Sequence, residues 1–256
     1  MRAAWLVLVV TIAVMERDAG ACSCMSPAAV LLTPDRGDDV PLNARVRVEV
    51  PASGALSPVV LRVHKGAEVP ATTRSATGGF YRSVELTPKK PLEPKTRYEV
   101  AYVDSDRHPS TIVFGTFTTG TTTDTAAPRI DAMGSATPHR VGAVSPGGVI
   151  VLSSCSTSDP WIVIDGVSAS DRAGAQLAFG VWRADPNGVV DDSKPPAATL
   201  LAHDGTLTLG RISTCDPHTF ALPDKGVVVL GIAAIDEAGN KSATKRLRVD
   251  MSAAVP

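Results

Sequence analysis

Arg45-Val46-Arg47-Val48-Glu49-Val50 alternates a charged residue with a valine without a break. Successive side chains of a strand point to opposite faces, so this period puts all three valines on one side. The segment reads as a half-buried antiparallel strand, with a core against the valines and solvent against the charges. The pattern repeats after it. Val59, Leu61 and Val63 alternate likewise, and Phe80, Val84 and Leu86 follow the turn signal Gly78-Gly79. Tyr98, Val100 and Tyr102 form another inward set, and Ile112 to Phe117 closes the run. Short strands separated by Pro, Gly and Asp turns, with no helical period between them, argue a sandwich.

Three motifs flank these strands in order. Pro34-x-x-Gly37-x-x-Val40-Pro41-Leu42-Asn43 precedes the first one. Leu86-x-Pro88-x-x-Pro91-Leu92-x-Pro94-x-Thr96-x-Tyr98-x-Val100 follows, and Phe114-x-x-Phe117-Thr118-Thr119 ends the unit. Together they resemble the SbsA-type bacterial Ig-like family over residues 28–119. The Leu-x-Pro-x-Thr-x-Tyr segment is also like the tyrosine corner of sandwich domains. It gives Tyr98 a structural role: ring inside, hydroxyl bonded back to the upstream backbone.

Gly120 to Pro128 is polar and small-residued and reads as a linker without core residues. Residues 129–252 are again strand-like. Apolar runs occur at Val149 to Leu152, Trp161 to Ile164, Leu177 to Trp182 and Leu207 to Leu209. Gly226 to Ile235, Asp236-Glu237-Ala238-Gly239-Asn240 and Ala243 to Val249 look like the last hairpin of bacterial Ig-like and fibronectin-III-like modules. Gly239 and Asn240 suit the positive φ of a tight turn. The expected fold class is therefore all-β: two tandem immunoglobulin-like antiparallel β-sandwiches after an N-terminal signal peptide.

That signal is read at residues 1–21. Met1-Arg2 gives a positive start, and Ala3 to Met15 is an uncharged apolar run, shorter than the roughly 20 residues of a bilayer span. Ala19-Gly20-Ala21 places small residues before cleavage between Ala21 and Cys22. A lipid anchor at Cys22 is the rival reading, but Ala19 and the charged residues before it fit a lipobox less well. No second apolar segment of spanning length follows, so no transmembrane span is expected in the mature chain. The expected location is secreted or in the cell envelope.

The four cysteines are Cys22, Cys24, Cys155 and Cys215. An oxidising compartment permits disulfides, and four cysteines allow three connectivities. Cys155 and Cys215 lie in the same half, each shortly before Asp-Pro, and are expected to pair with each other. The Cys22-Ser23-Cys24 start resembles the first residues of tissue inhibitors of metalloproteases, over those three residues alone. A secreted protease-inhibitor-like protein therefore stays open as an alternative.

The formal net charge of -1 supplies no basic field for nucleic acid. His64, His108, His139, His203 and His218 are scattered, and Gly-x-Ser-x-Gly and phosphate-cradling glycine motifs do not occur. No catalytic, cofactor or metal residues are assigned. Asp38-Asp39, Asp104-x-Asp106 and Asp191-Asp192 lack the oxygen-rich spacing that calcium demands. Asp165-Gly166, Asp171 and Asp236 have a calcium reading only if several loops converge at one end of the second sandwich. Solvated turn carboxylates are the simpler reading. The expected function is a non-catalytic exported module with a structural or adhesive role and a protein or glycan ligand. An enzyme with a site assembled from distant residues is the other alternative.

Overall fold

The computed structural model describes residues 30–34, 37–51, 58–78, 81–104, 110–140, 159–210 and 220–254. The signal segment with Ala21, Cys22 and Cys24, the run Val149 to Leu152, and both Cys155 and Cys215 lie outside them.

Seven strands build the first sandwich: β1 (Val30–Thr33), β2 (Val46–Pro51), β3 (Val59–Val63), β4 (Ala71–Gly78), β5 (Tyr81–Pro88), β6 (Arg97–Asp104) and β7 (Ser110–Thr118). One sheet runs β1-β2-β5-β4, the other β3-β6-β7, and every strand pair is antiparallel. That is the four-plus-three arrangement of a constant-type immunoglobulin domain. The three valines of 45–50 all face its core, joined by Leu61, Val84, Leu86, Tyr98, Val100 and Phe117. Each such side chain contributes roughly 1.5–3 kcal/mol by leaving water.

The second sandwich follows with β8 (Arg129–Ala132), β9 (Ala136–Arg140), β10 (Pro160–Ile164), β11 (Ser168–Ser170), β12 (Ala178–Arg183), β13 (Ala198–Leu200), β14 (Leu207–Gly210), β15 (Val227–Ile235) and β16 (Lys245–Asp250). A sheet ordered β14-β10-β9 faces a sheet ordered β13-β12-β15-β16, and β8 pairs with β11 beside them. Ile162, Ile164, Leu207 and Leu209 meet Phe179, Val181, Leu230, Ile232 and Val249 in its core. The molecule is thus two tandem immunoglobulin-like antiparallel β-sandwiches. Among the described residues no helix is long and apolar enough to cross a membrane.

Two local expectations need correction. The 45–50 strand is not half-buried, because Arg47 and Glu49 are only 6% and 5% exposed. Its charged face at Arg47 is covered by the second sandwich, a long-range contact that no local period encodes. The linker adds no residue to either core, yet it places one polar residue in the junction, Asp124, only 8% exposed. In the last hairpin Gly239 has φ +87°, but Asn240 is not among the positive-φ residues. The Asn240 side chain instead bonds the Asp236 carboxylate and the Asp124 carbonyl.

Candidate functional site at the junction of the sandwiches

The junction is built from four segments: the start of β2, the linker, the loop between β11 and β12, and the turn between β15 and β16. The turn is closed locally. Asp236 N–H donates to the Asn240 carbonyl at 3.1 Å, and Asn240 N–H donates to Asp236 Oδ1 at 2.8 Å. Asn240 Nδ2 donates to Asp236 Oδ2 at 2.8 Å, which fixes both carboxylate oxygens. Gly239 supplies the left-handed residue that lets the chain reverse.

This closed turn docks on the first sandwich. Arg45 N–H donates to the Glu237 carbonyl at 2.7 Å. Arg47 Nη1 donates to the Asp236 carbonyl at 2.9 Å, while its Nε donates to Glu85 Oε2 at 3.0 Å. Burial pushes the Arg47 guanidinium below its ordinary pKa, and the Glu85 carboxylate acts against that. The linker is pinned at Asp124. Asn43 Nδ2 donates to the Asp124 carbonyl at 2.7 Å, and Asp124 N–H donates back to Asn43 Oδ1 at 2.8 Å. Asn240 Nδ2 also donates to the Asp124 carbonyl, at 3.2 Å. One linker residue is therefore bonded to both sandwiches.

Acidic side chains gather around these bonds. Oxygens of Asp124, Asp171 and Asp236 all lie within 4.8 Å of one another. The Asp236 carboxyl is pushed above its ordinary value by burial first. The Asn240 bonds oppose this, and the neighbouring Asp124 and Asp171 charges add to it. Glu237, 2% exposed, is pushed up to about 7, chiefly by burial and against the pull of Arg172. Arg172 bonds Glu237 and stands 3.2 Å from Asp124 Oδ2 through its Nε. Of the residues raised for calcium, Asp171 and Asp236 are brought together. Asp165 stays apart, its Oδ1 accepting from Thr206 Oγ1 at 3.2 Å. Asp236 is not a solvated turn carboxylate, being 1% exposed. Asp124 escaped sequence reasoning because it sits in a run of threonines and alanines with no motif around it. Its one local signal was an acidic residue close before Pro128.

Beside the junction a groove of about 460 Å³ is walled by both sandwiches. Arg45, Arg74 and Glu85 face it from the first, and Trp182, Lys194 and Lys241 from the second. Trp182 is fixed by its indole N–H, which donates to the Lys194 carbonyl at 2.8 Å, and by Lys241 Nζ, 5.1 Å from its ring centre. Lys241 also donates to the Asp192 carbonyl at 2.7 Å, so Asp192 serves the groove wall.

The remaining singled-out residues act locally. Tyr98 is 1% exposed, and its hydroxyl accepts from the Glu93 N–H at 2.8 Å. Its ring stacks on Phe117 at 5.5 Å. His64 Nδ1 lies 2.5 Å from Glu99 Oε1, and His139 stacks on Trp161 at 5.3 Å. Asp38 and Asp39 are exposed, and Asp106, His108 and His218 lie outside the described residues.

No protein-family model matches the chain, and no curated protein does. Solved structures do match. The N-terminal Ig1-2 module of the Drosophila receptor protein tyrosine phosphatase DLAR is 14% identical over 90% of this chain and 100% of its own, with a TM-score of 0.28. The fibronectin(III)-like modules of Clostridium thermocellum CbhA are 12% identical over 89% of this chain and 95% of theirs, with a TM-score of 0.24. These are named as Ig and fibronectin(III)-like modules, and the fold assignment itself rests on the sheets and cores above.

Proposed function

We propose that the chain is a non-catalytic, exported module with a structural or adhesive role in the cell envelope or outside the cell. In this reading residues 1–21 are a signal removed between Ala21 and Cys22. Residues 28–119 form an SbsA-type Ig-like domain, 120–128 the linker and 129–252 the second Ig-like domain. Cys155 and Cys215 are bridged.

One observation carries the reading: Arg47 of the first sandwich is hydrogen-bonded to Asp236 of the second, beside a groove both sandwiches wall. A bond of this kind resists bending between domains, which suits a spacer, and it holds the groove in one shape. A preformed groove spares a ligand the ordering cost that flexible walls impose. The charged groups that would otherwise suggest catalysis are occupied. Glu85 and the Asp236 carbonyl hold Arg47, Glu237 holds Arg172, and Asp192 holds Lys241. The cationic and aromatic groove wall suits an acidic partner, protein or glycan.

The test combines two measurements on the full chain expressed with its signal. Mass spectrometry of the non-reduced exported product should give a mature start at Cys22 and a Cys155–Cys215 cross-link. A product retaining residues 1–21 overturns export. Glycan-array and envelope pull-down assays should then find a ligand that the double variant Arg74→Glu, Lys194→Glu loses. A ligand held equally by that variant removes the groove from the binding role.

A further inference from the structure

Among the described residues, two buried carboxylate oxygens of the junction accept no hydrogen bond: Asp124 Oδ2 and Asp171 Oδ2. Both belong to the same three-carboxylate cluster. Asp124 is 92% buried by its 8% exposure, and its other oxygen accepts from the Ala126 N–H at 3.0 Å. Its Oδ2 meets only the Arg172 Nε, an ion pair at 3.2 Å that lacks the alignment of a hydrogen bond. A buried carboxylate oxygen without a well-aligned hydrogen bond is incompletely compensated, and two of them in one cluster raise the cost.

We propose that Asp124, Asp171 and Asp236 hold a divalent cation, calcium by its oxygen chemistry, at the seam between the two sandwiches. The donors are all hard oxygens, without sulfur or imidazole, which favours calcium over zinc. Calcium takes six to eight oxygens in flexible geometry, so three carboxylates with waters completing the shell fit it better than the strict octahedron of magnesium. The carboxylate oxygens already bonded to Ala126 and Asn240 keep further lone pairs for a metal.

The charges agree with this. Of the four carboxylates here, Asp124 and Glu237 are paired with Arg172. Arg47 approaches through the Asp236 backbone and is itself held by Glu85. A cation among the three aspartates removes their mutual repulsion and leaves Arg172 with Glu237. The aspartates come from the linker, the β11–β12 loop and the β15–β16 turn. Binding therefore ties together three segments that meet only in the folded junction, and calcium stiffens the two-domain unit.

The test is calorimetric titration of calcium chloride into the full chain stripped with EDTA, with magnesium chloride in parallel. The expected result is one saturable calcium site with a Kd of about 0.1–1 mM, as in extracellular modules. Melting temperature should rise about 3–5 °C at a tenfold excess over Kd. Asp171→Asn should bind at least tenfold more weakly while melting normally without calcium, because Asp171 is half-buried and its Oδ2 has no hydrogen bond to lose. Asp191→Asn, outside the cluster, should bind like the parent chain. No saturable calcium binding overturns the proposal and leaves Arg172 as the cluster's counter-ion. Unchanged binding by Asp171→Asn, or tighter binding of magnesium than calcium, overturns it as well.

Discussion

The guanidinium of Arg47 donates at once to Glu85 Oε2, within its own sheet, and to the backbone carbonyl of Asp236 in the other sandwich. Few side chains other than arginine present two donors in a rigid fork that serves two such acceptors. Arg47→Met keeps most of the stem but leaves both acceptors short of a donor in a buried place. The expected cost is about 2–4 kcal/mol, between a lost charge-assisted hydrogen bond and a broken buried ion pair. Arg47→Lys should recover only part of it. Urea unfolding followed by intrinsic fluorescence checks the loss, and scattering should report a wider spread of domain angles in both variants.

Tyr98 anchors the first sandwich through its hydroxyl as well as its ring. Tyr98→Phe keeps the stack on Phe117 and removes the acceptor of the Glu93 N–H. One unsatisfied, part-buried amide predicts a loss of about 1–2 kcal/mol. Tyr98→Ala also opens a cavity beside Phe117 and should cost about 3–5 kcal/mol. Denaturant midpoints of the two variants should separate accordingly.

The first sandwich was legible because its strands are amphipathic and its turns carry Pro and Gly. Val46, Val48 and Val50 announce a strand from their spacing alone. Strands β1 and β4 escaped, and β4 reads Ala-Thr-Thr-Arg-Ser-Ala-Thr-Gly, with no apolar period to find. An edge strand needs backbone pairing more than an apolar face. The second sandwich showed its longest strand, β15, through a continuous apolar run, yet β8, β9, β11 and β13 are short or polar. The junction was the least legible part. Asp124, Asp171 and Asp236 are far apart in sequence, and their meeting depends on how two domains dock. Arg47 looked like the solvent side of a strand for the same reason.

Glu99 lies in β6 with Arg62 Nε at 2.7 Å and His64 Nδ1 at 2.5 Å. Burial pushes its carboxyl up, but the bonds from Arg62 and His64 outweigh that and hold it below the ordinary glutamate value. A folded-state pKa below the unfolded one stabilises the protein above the unfolded value, about 4.3. That stability is lost as the pH falls below it and through the folded value. Urea midpoints measured from pH 6 down to pH 3 should therefore decline at the acid end. Glu99→Gln should start lower at pH 6 and decline less steeply, since the group that titrates is gone. Parallel curves for the two proteins would place the acid sensitivity elsewhere.

Gly239 joins the hairpin turn to the first sandwich by having no side chain. Its φ of +87° is strained for any residue with a Cβ. A Cβ there would also lie 2.6 Å from Arg45 Nε and 2.7 Å from its Cζ. Gly239→Ala therefore meets two penalties. The backbone penalty is about 1–2 kcal/mol and stays whatever the neighbour does. The contact penalty is relieved if Arg45, whose side chain is 38% exposed, swings away from Glu85. The double variant Gly239→Ala, Arg45→Ala should then be less destabilised than the sum of its parts, because the clash exists only when both side chains are present. A double-mutant cycle by urea unfolding reads this coupling directly. Simple additivity would mean that Arg45 already yields at no cost and that the turn's backbone alone requires glycine.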